Sequence, residues 1–126
     1  MNHVATTLSL ALVIGGAPAL AQPAPCQEFE ELHMTLEQNA TDGDTEVVFF
    51  AKTETDGLQK LQIGAPTGRK VASFTGDKKG IGLREFVLES AEPPDLNLVL
   101  ASFPEGTYTF LGKTVGGECV EGEQAV

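Results

Sequence analysis

A chain of 126 residues with 18 Asp and Glu against 8 Lys and Arg, a formal net charge of −10, is one domain in length. Its acidic surface repels nucleic acid and anionic membranes, whose binding needs clustered Lys and Arg. With no Trp, one Tyr, seven Phe and 14 Gly, and short runs of Val, Phe, Thr and Leu between the glycines, the composition is that of an all-β chain with many turns.

The first expected element is an export signal over residues 1–21. Leu8 to Leu20 is a run of 13 apolar and small residues, short of the ~20 that a membrane-spanning helix needs, and it contains Gly15-Gly16 and Pro18. It ends in Ala19-Leu20-Ala21, the A-x-A form after which a signal peptidase cuts. Met1-Asn2-His3 supplies no Lys or Arg, and the alternative reading is an uncleaved anchor. Pro25 argues against a lipid on Cys26, because bacterial lipidation needs a small residue there. Cleavage leaves Gln22 to Val126, a periplasmic or secreted chain without a transmembrane segment, in a compartment where cysteines are oxidised. Residues 22–28, opening on Gln22-Pro23-Ala24-Pro25, read as a spacer, and 29–126 as the domain.

Residues 29–38 alternate, with Leu32, Met34 and Leu36 on one face and Glu31, His33, Thr35 and Glu37 on the other, which is a half-buried strand. Asn39 to Asp44 is dense in turn formers. Val47 to Ala51, inside a strand from Thr45 to Thr53, is apolar on both faces, as in a central strand. Glu54 to Gly57 turns the chain into a third strand, Leu58 to Ile63, and Ala65-Pro66-Thr67-Gly68 is a turn. Val71 to Thr75 is the fourth strand, Gly76 to Gly80 a charged loop, and Ile81 to Glu89 the fifth strand. Leu96, Val99, Leu100 and Phe103 then fall on one face of a short helix with Asp95 as N-cap. Pro104-Glu105-Gly106 stops it. Thr107 to Thr114, with Tyr108 and Phe110 on one face, is the sixth strand. Val115 to Glu118 is a hairpin turn, and Cys119 to Val126 the seventh strand. Seven short strands at roughly ten-residue spacing make a β-sandwich.

Phe103-Pro104-Glu105-Gly106-Thr107-Tyr108-Thr109-Phe110 resembles the segment leading into strand F of fibronectin type III and related immunoglobulin-like domains. The resemblance implies a seven-stranded immunoglobulin-like sandwich with the helix in the E–F crossover, and makes Tyr108 a structural tyrosine corner. A wider stretch, about residues 30–122, resembles a family of small uncharacterised exported bacterial proteins. Its motifs stand here as Asn39–Asp44 (NATDGD), Pro66–Arg69 (PxGR), Gly82–Pro93 (GLREFxxESxEP) and Phe103–Phe110 (FPEGxYxF). That resemblance implies a fold and no activity. Its members continue through a longer last strand, so the strand ending at Val126 is expected to be short or incompletely paired.

In such a sandwich the first and last strands both start at the pole carrying the last hairpin turn. Cys26 and Cys119 are therefore expected to form a structural disulfide across that pole, closing a loop of 93 residues. An intermolecular pairing is the alternative, and no C-x-x-C or His cluster supports a redox or metal role.

The sequence offers no catalytic set. His33, the only histidine after residue 21, stands on an outward strand face, whereas a hydrolytic triad needs it beside a nucleophile. With 18 carboxylates some close pair arises by chance, and a small sandwich offers little cleft for two-carboxylate glycoside chemistry. The best candidate for a ligand is Asn39–Asp44, where Asp42 and Asp44 could offer oxygens to Ca²⁺. The competing reading is a turn capped by its own side chains. Asn39-Ala40-Thr41 also fits the N-x-T pattern. The expected function is thus a non-catalytic exported module binding a protein or cell-envelope component. Its working loops would be Glu54–Gly57, Gly76–Gly80 and Val115–Glu118, clustered at one pole by the fold analogy. A Ca²⁺-responsive module and a small inhibitor of an extracytoplasmic hydrolase are the alternatives.

Overall fold

The computed structural model describes residues 19–54 and 56–126. The expected export signal falls mainly on residues 1–18 and lies outside the described residues. The strands are β1 (Gln27–Glu28), β2 (Glu31–Gln38), β3 (Thr45–Lys52), β4 (Leu58–Gly64), β5 (Lys70–Thr75), β6 (Glu85–Glu89), β7 (Thr107–Thr114) and β8 (Cys119–Ala125), with α1 (Leu96–Ser102) between β6 and β7. They form two sheets, β2-β3-β6 and β1-β8-β7-β4-β5. The fold is an all-β, immunoglobulin-like sandwich, with the seven expected strands as β2 to β8.

Alternation decides which faces meet. Val47, Phe49 and Ala51 of β3 are buried, and Val48 and Phe50 between them point outward. From the other sheet Leu61, Ile63, Tyr108 and Phe110 are all buried. Phe49 lies between the sheets, 5.9 Å from the Tyr108 ring and 6.3 Å from the Phe110 ring. Apolar side chains from two inner faces, removed from water together, hold the layers.

Four details differ from the sequence expectation. The first is β1, in the segment read as spacer, where Gln27 and Glu28 pair in parallel with Val120 and Glu121. The chain then crosses to the other sheet at Phe29, whose ring meets Phe110 edge-on at 6.3 Å. The second is β6, which starts at Glu85 rather than Ile81, because Gly82 at φ +75° turns the chain out of the ladder. Third, only Val99 of α1 is buried, whereas Leu96 and Leu100 are exposed. Seven residues are about two turns, so few positions point straight inward. Asp95 does cap the helix, its carboxylate accepting from Asn97 N at 2.9 Å. The fourth is β8, which pairs with β7 along its full length, from Lys113 with Cys119 to Thr107 with Ala125.

The Tyr108 ring is fully buried, and its hydroxyl donates to the Pro104 carbonyl at 2.9 Å. Beside it, Gly106 at φ +138° lies so close to Pro66 that a Cβ would come within 2.7 Å of it. Arg69 donates to the Ser102 carbonyl at the end of α1. The β4–β5 turn and the crossover therefore lock together at one pole. Burial pushes the Tyr108 phenol above its ordinary value of 10, and nearby Arg69 pulls weakly the other way. The neutral phenol is the stable form in the fold. Its contribution is fully present below pH ~10, the unfolded value, and is lost as pH rises through the higher folded value. With no Trp and one Tyr, absorbance of the tyrosinate band reports this group alone. The expected midpoint is above 10 in the folded chain and returns to about 10 in denaturant. Tyr108→Phe should cost about 1–2 kcal/mol, the loss of one partly buried hydrogen bond, and remove the alkaline transition.

Candidate functional site

The opposite pole gathers the β3–β4 loop, the β5–β6 loop and the β7–β8 turn. Backbone bonds tie them together. Leu58 and Leu83 exchange N–H···O bonds of 2.8 and 3.1 Å, and Val115 N donates to Gly57 O at 3.3 Å. Gly76 N donates to Gln59 O at 2.7 Å. The closest approach is between two glycines. A Cβ on Gly57 would lie 2.5 Å from Gly82 C, and one on Gly82 would lie 2.5 Å from Gly57 C. Backbone against backbone at this range requires glycine on both sides. Arg84 closes the underside, its Nε donating to Thr53 O at 3.1 Å and its guanidinium standing 3.4 Å from Glu30. Thr53 Oγ1 donates to Asp56 O at 2.8 Å, holding the β3–β4 loop from within.

The disulfide belongs to the same pole. Cys26 and Cys119 are bonded, with Cα atoms 4.8 Å apart. Cys119 follows the β7–β8 turn directly, so the clip fixes the start of β1 and of β8 beside the three loops. Gln27 Nε2 adds a contact of 3.4 Å to Glu118.

This anchoring presents Ile81. The residue is 95 % exposed, although its neighbours Gly82 and Leu83 are pinned to Gly57 and Leu58. It stands between two hollows. One, about 280 Å³, is lined by Leu58, Phe74, Asp77 and Leu83. The other, about 270 Å³, is lined by Asp56, Thr114, Val115 and Glu118. The first is an apolar floor and the second a polar one. The sequence pattern puts Ile81 in a strand; the signal against it is Gly80-Ile81-Gly82, a β-branched residue between two glycines, which is a poor strand.

The remaining candidates sit apart from this pole. Asn39–Asp44 forms a closed turn. Gly43 N donates to Asn39 O at 2.8 Å, Thr41 N to Asn39 Oδ1 at 2.9 Å, and Asp44 N to Asp42 Oδ1 at 3.2 Å. The second Asp42 oxygen accepts from Asn39 Nδ2 at 3.2 Å. Both Asp42 oxygens thus serve the turn itself. Among the described residues no group of three or more His, Cys, Asp or Glu is placed to hold a metal ion. His33 is on the outward face of β2, stacked on Phe50 at 4.6 Å and 8°, with Nδ1 3.9 Å from Glu31. A groove of about 710 Å³ runs beside β1 and β8 and is lined by Glu28, Leu32, Leu111, Glu121 and Glu123. It carries carboxylates and apolar groups, with Thr109 opposite Glu123 across the β7–β8 ladder. No helix among the described residues is long and apolar enough to cross a membrane. No family model, curated protein or solved structure matches this chain.

Proposed function

We propose that the protein is an exported, non-catalytic binding module that grips a partner protein of the cell envelope through the pole built from the β3–β4, β5–β6 and β7–β8 loops. The observation that carries this reading is Ile81, a large apolar side chain left in water on a backbone held by Gly57–Gly82 packing and the Leu58–Leu83 bridge. A held loop loses little freedom on binding, so burying its apolar side chain yields more net affinity than burying the same group on a loose loop. The apolar hollow on one side of Ile81 and the polar one on the other fit the apolar-centre, polar-rim pattern of protein interfaces. The fibronectin type III likeness of the Tyr108 segment supports the same reading, since pole loops of such sandwiches are free to vary around a fixed frame.

The inhibitor reading is favoured by the same side chain. A rigid loop ending in one protruding apolar residue is the shape that fills a specificity pocket of a hydrolase. A structural partner and an enzyme target are separated by the identity of what is captured.

The test is Ile81→Asp in affinity capture from the envelope fraction. The side chain touches water on nearly all sides, so stability should change by less than about 0.5 kcal/mol. A partner held by wild type and lost from Ile81→Asp at unchanged melting temperature is the expected result. Equal capture by both proteins would remove the pole from the account.

A further inference from the structure

The two sheets differ in what they show to solvent. On the outer face of the β8-β7-β4 sheet, Glu121 and Glu123 are balanced by Lys60 and Lys113. The outer face of β2-β3-β6 is not balanced. Its register places His33, Phe50 and Val87 in one row across the three strands, with Val48 beside them. Val87 is 51 % exposed, and the His33 side chain 44 %. Five carboxylates surround this row: Glu31 and Glu37 on β2, Glu46 on β3, and Glu85 and Glu89 on β6. The one cation on the face, Lys52, lies 3.4 Å from Glu30 and is already paired. The Glu46 carboxyl is held above its ordinary value by reduced contact with water and by Glu92, Glu89 and Glu37. Lys52 stands in register between Glu31 and Glu85, and His33 Nδ1 lies 3.9 Å from Glu31, so one ammonium and one imidazole face five carboxylates.

The outer face of an antiparallel sheet is ordinarily polar. Here an aromatic stack and two valines form its centre. Aromatic rings framed by carboxylates match one side chain above others. Arginine is planar, stacks on ring faces, and bonds carboxylates through a fork of N–H donors; the ammonium of lysine does so only as a point charge. We propose that the outward face of β2-β3-β6 docks an arginine-bearing segment of a partner protein, with guanidinium groups stacked on the His33–Phe50 pair and bonded to the surrounding carboxylates. This surface is separate from the Ile81 pole and stands or falls without it.

The probe is a short labelled Arg-Gly repeat peptide, compared with its Lys-Gly counterpart in physiological salt. The expected result is tighter binding of the Arg peptide, with amide shifts confined to residues 31–37, 46–52 and 85–89. His33→Thr/Phe50→Thr keeps every carboxylate and should weaken the Arg peptide about five- to thirty-fold, the scale of a partly desolvated cation–π contact. It should leave the Lys peptide nearly unchanged. Glu31→Gln/Glu85→Gln, which spares the rings, should weaken both peptides more than Glu121→Gln/Glu123→Gln on the other sheet. Equal affinity for the two peptides, equal loss from either carboxylate pair, shifts centred elsewhere, or no binding at all would each overturn the proposal.

Discussion

Replacing both cysteines, as Cys26→Ser/Cys119→Ser, is expected to destabilise the fold by about 4–5 kcal/mol, the chain-entropy estimate for a closed loop of this length. The bond joins residues 93 apart in sequence, so in the unfolded chain it restrains most of the domain. Its native-state role is as large. β1 is two residues long and pairs only with Val120 and Glu121. Two ladder positions do not hold a strand by themselves. Without the clip, Gln27 and Glu28 should leave β8, and Phe29 should lose its fixed approach to Phe110. The melting temperature should fall by at least about 15 °C, given roughly 4–8 °C per kcal/mol for a domain of this size. Calorimetry with and without a reductant, alongside the double variant, measures it. A shift of a degree or two would mean that the N-terminal segment is held by packing alone.

The second large effect is expected at Phe110. Its ring is fully buried, 6.3 Å from Phe29 on one side and 6.3 Å from Phe49 on the other. It therefore joins the segment that crosses between sheets to the core of the opposite sheet. Phe110→Ala removes most of the side chain and leaves a cavity that close-packed neighbours fill only in part, at a cost of about 3–5 kcal/mol. Urea unfolding followed by Tyr108 fluorescence gives the number, since no tryptophan competes. A cost under about 1 kcal/mol would show that the inner faces collapse freely around the gap, against the packing described here.

These two sites show where a sequence speaks and where it is silent. Period-two alternation puts Tyr108 and Phe110 on one face because burial on one side of a sheet imposes that period, whereas Val47 to Ala51, apolar at every position, does not reveal that Phe49 points inward and Phe50 outward. Asp95 was legible as an N-cap because the first helical N–H groups need an acceptor. The fold likeness brought Cys26 and Cys119 to one pole, and they are bonded there. β1 was not legible, since two residues have no period and Pro25 just before them reads as a linker. The Gly57–Gly82 contact was not legible either. Each glycine alone looks like a turn residue, and only the fold brings them within touching distance. That contact pulled Ile81 and Leu83 out of the expected strand and into the candidate site. The three loops were legible as turns; Ile81 as their exposed centre was not. The His33–Phe50 stack depends on cross-strand register, which neither strand encodes by itself.

The central claim is that Ile81 and the loops around it meet a protein. The most direct measurement places a benzoylphenylalanine photocrosslinker at position 81 and, as a control, at Leu111, which is 51 % exposed on the outer face of β7. Irradiation in the intact envelope should give one discrete adduct from position 81 and none of that mass from position 111. No adduct at position 81, or the same adducts from both positions, would contradict it.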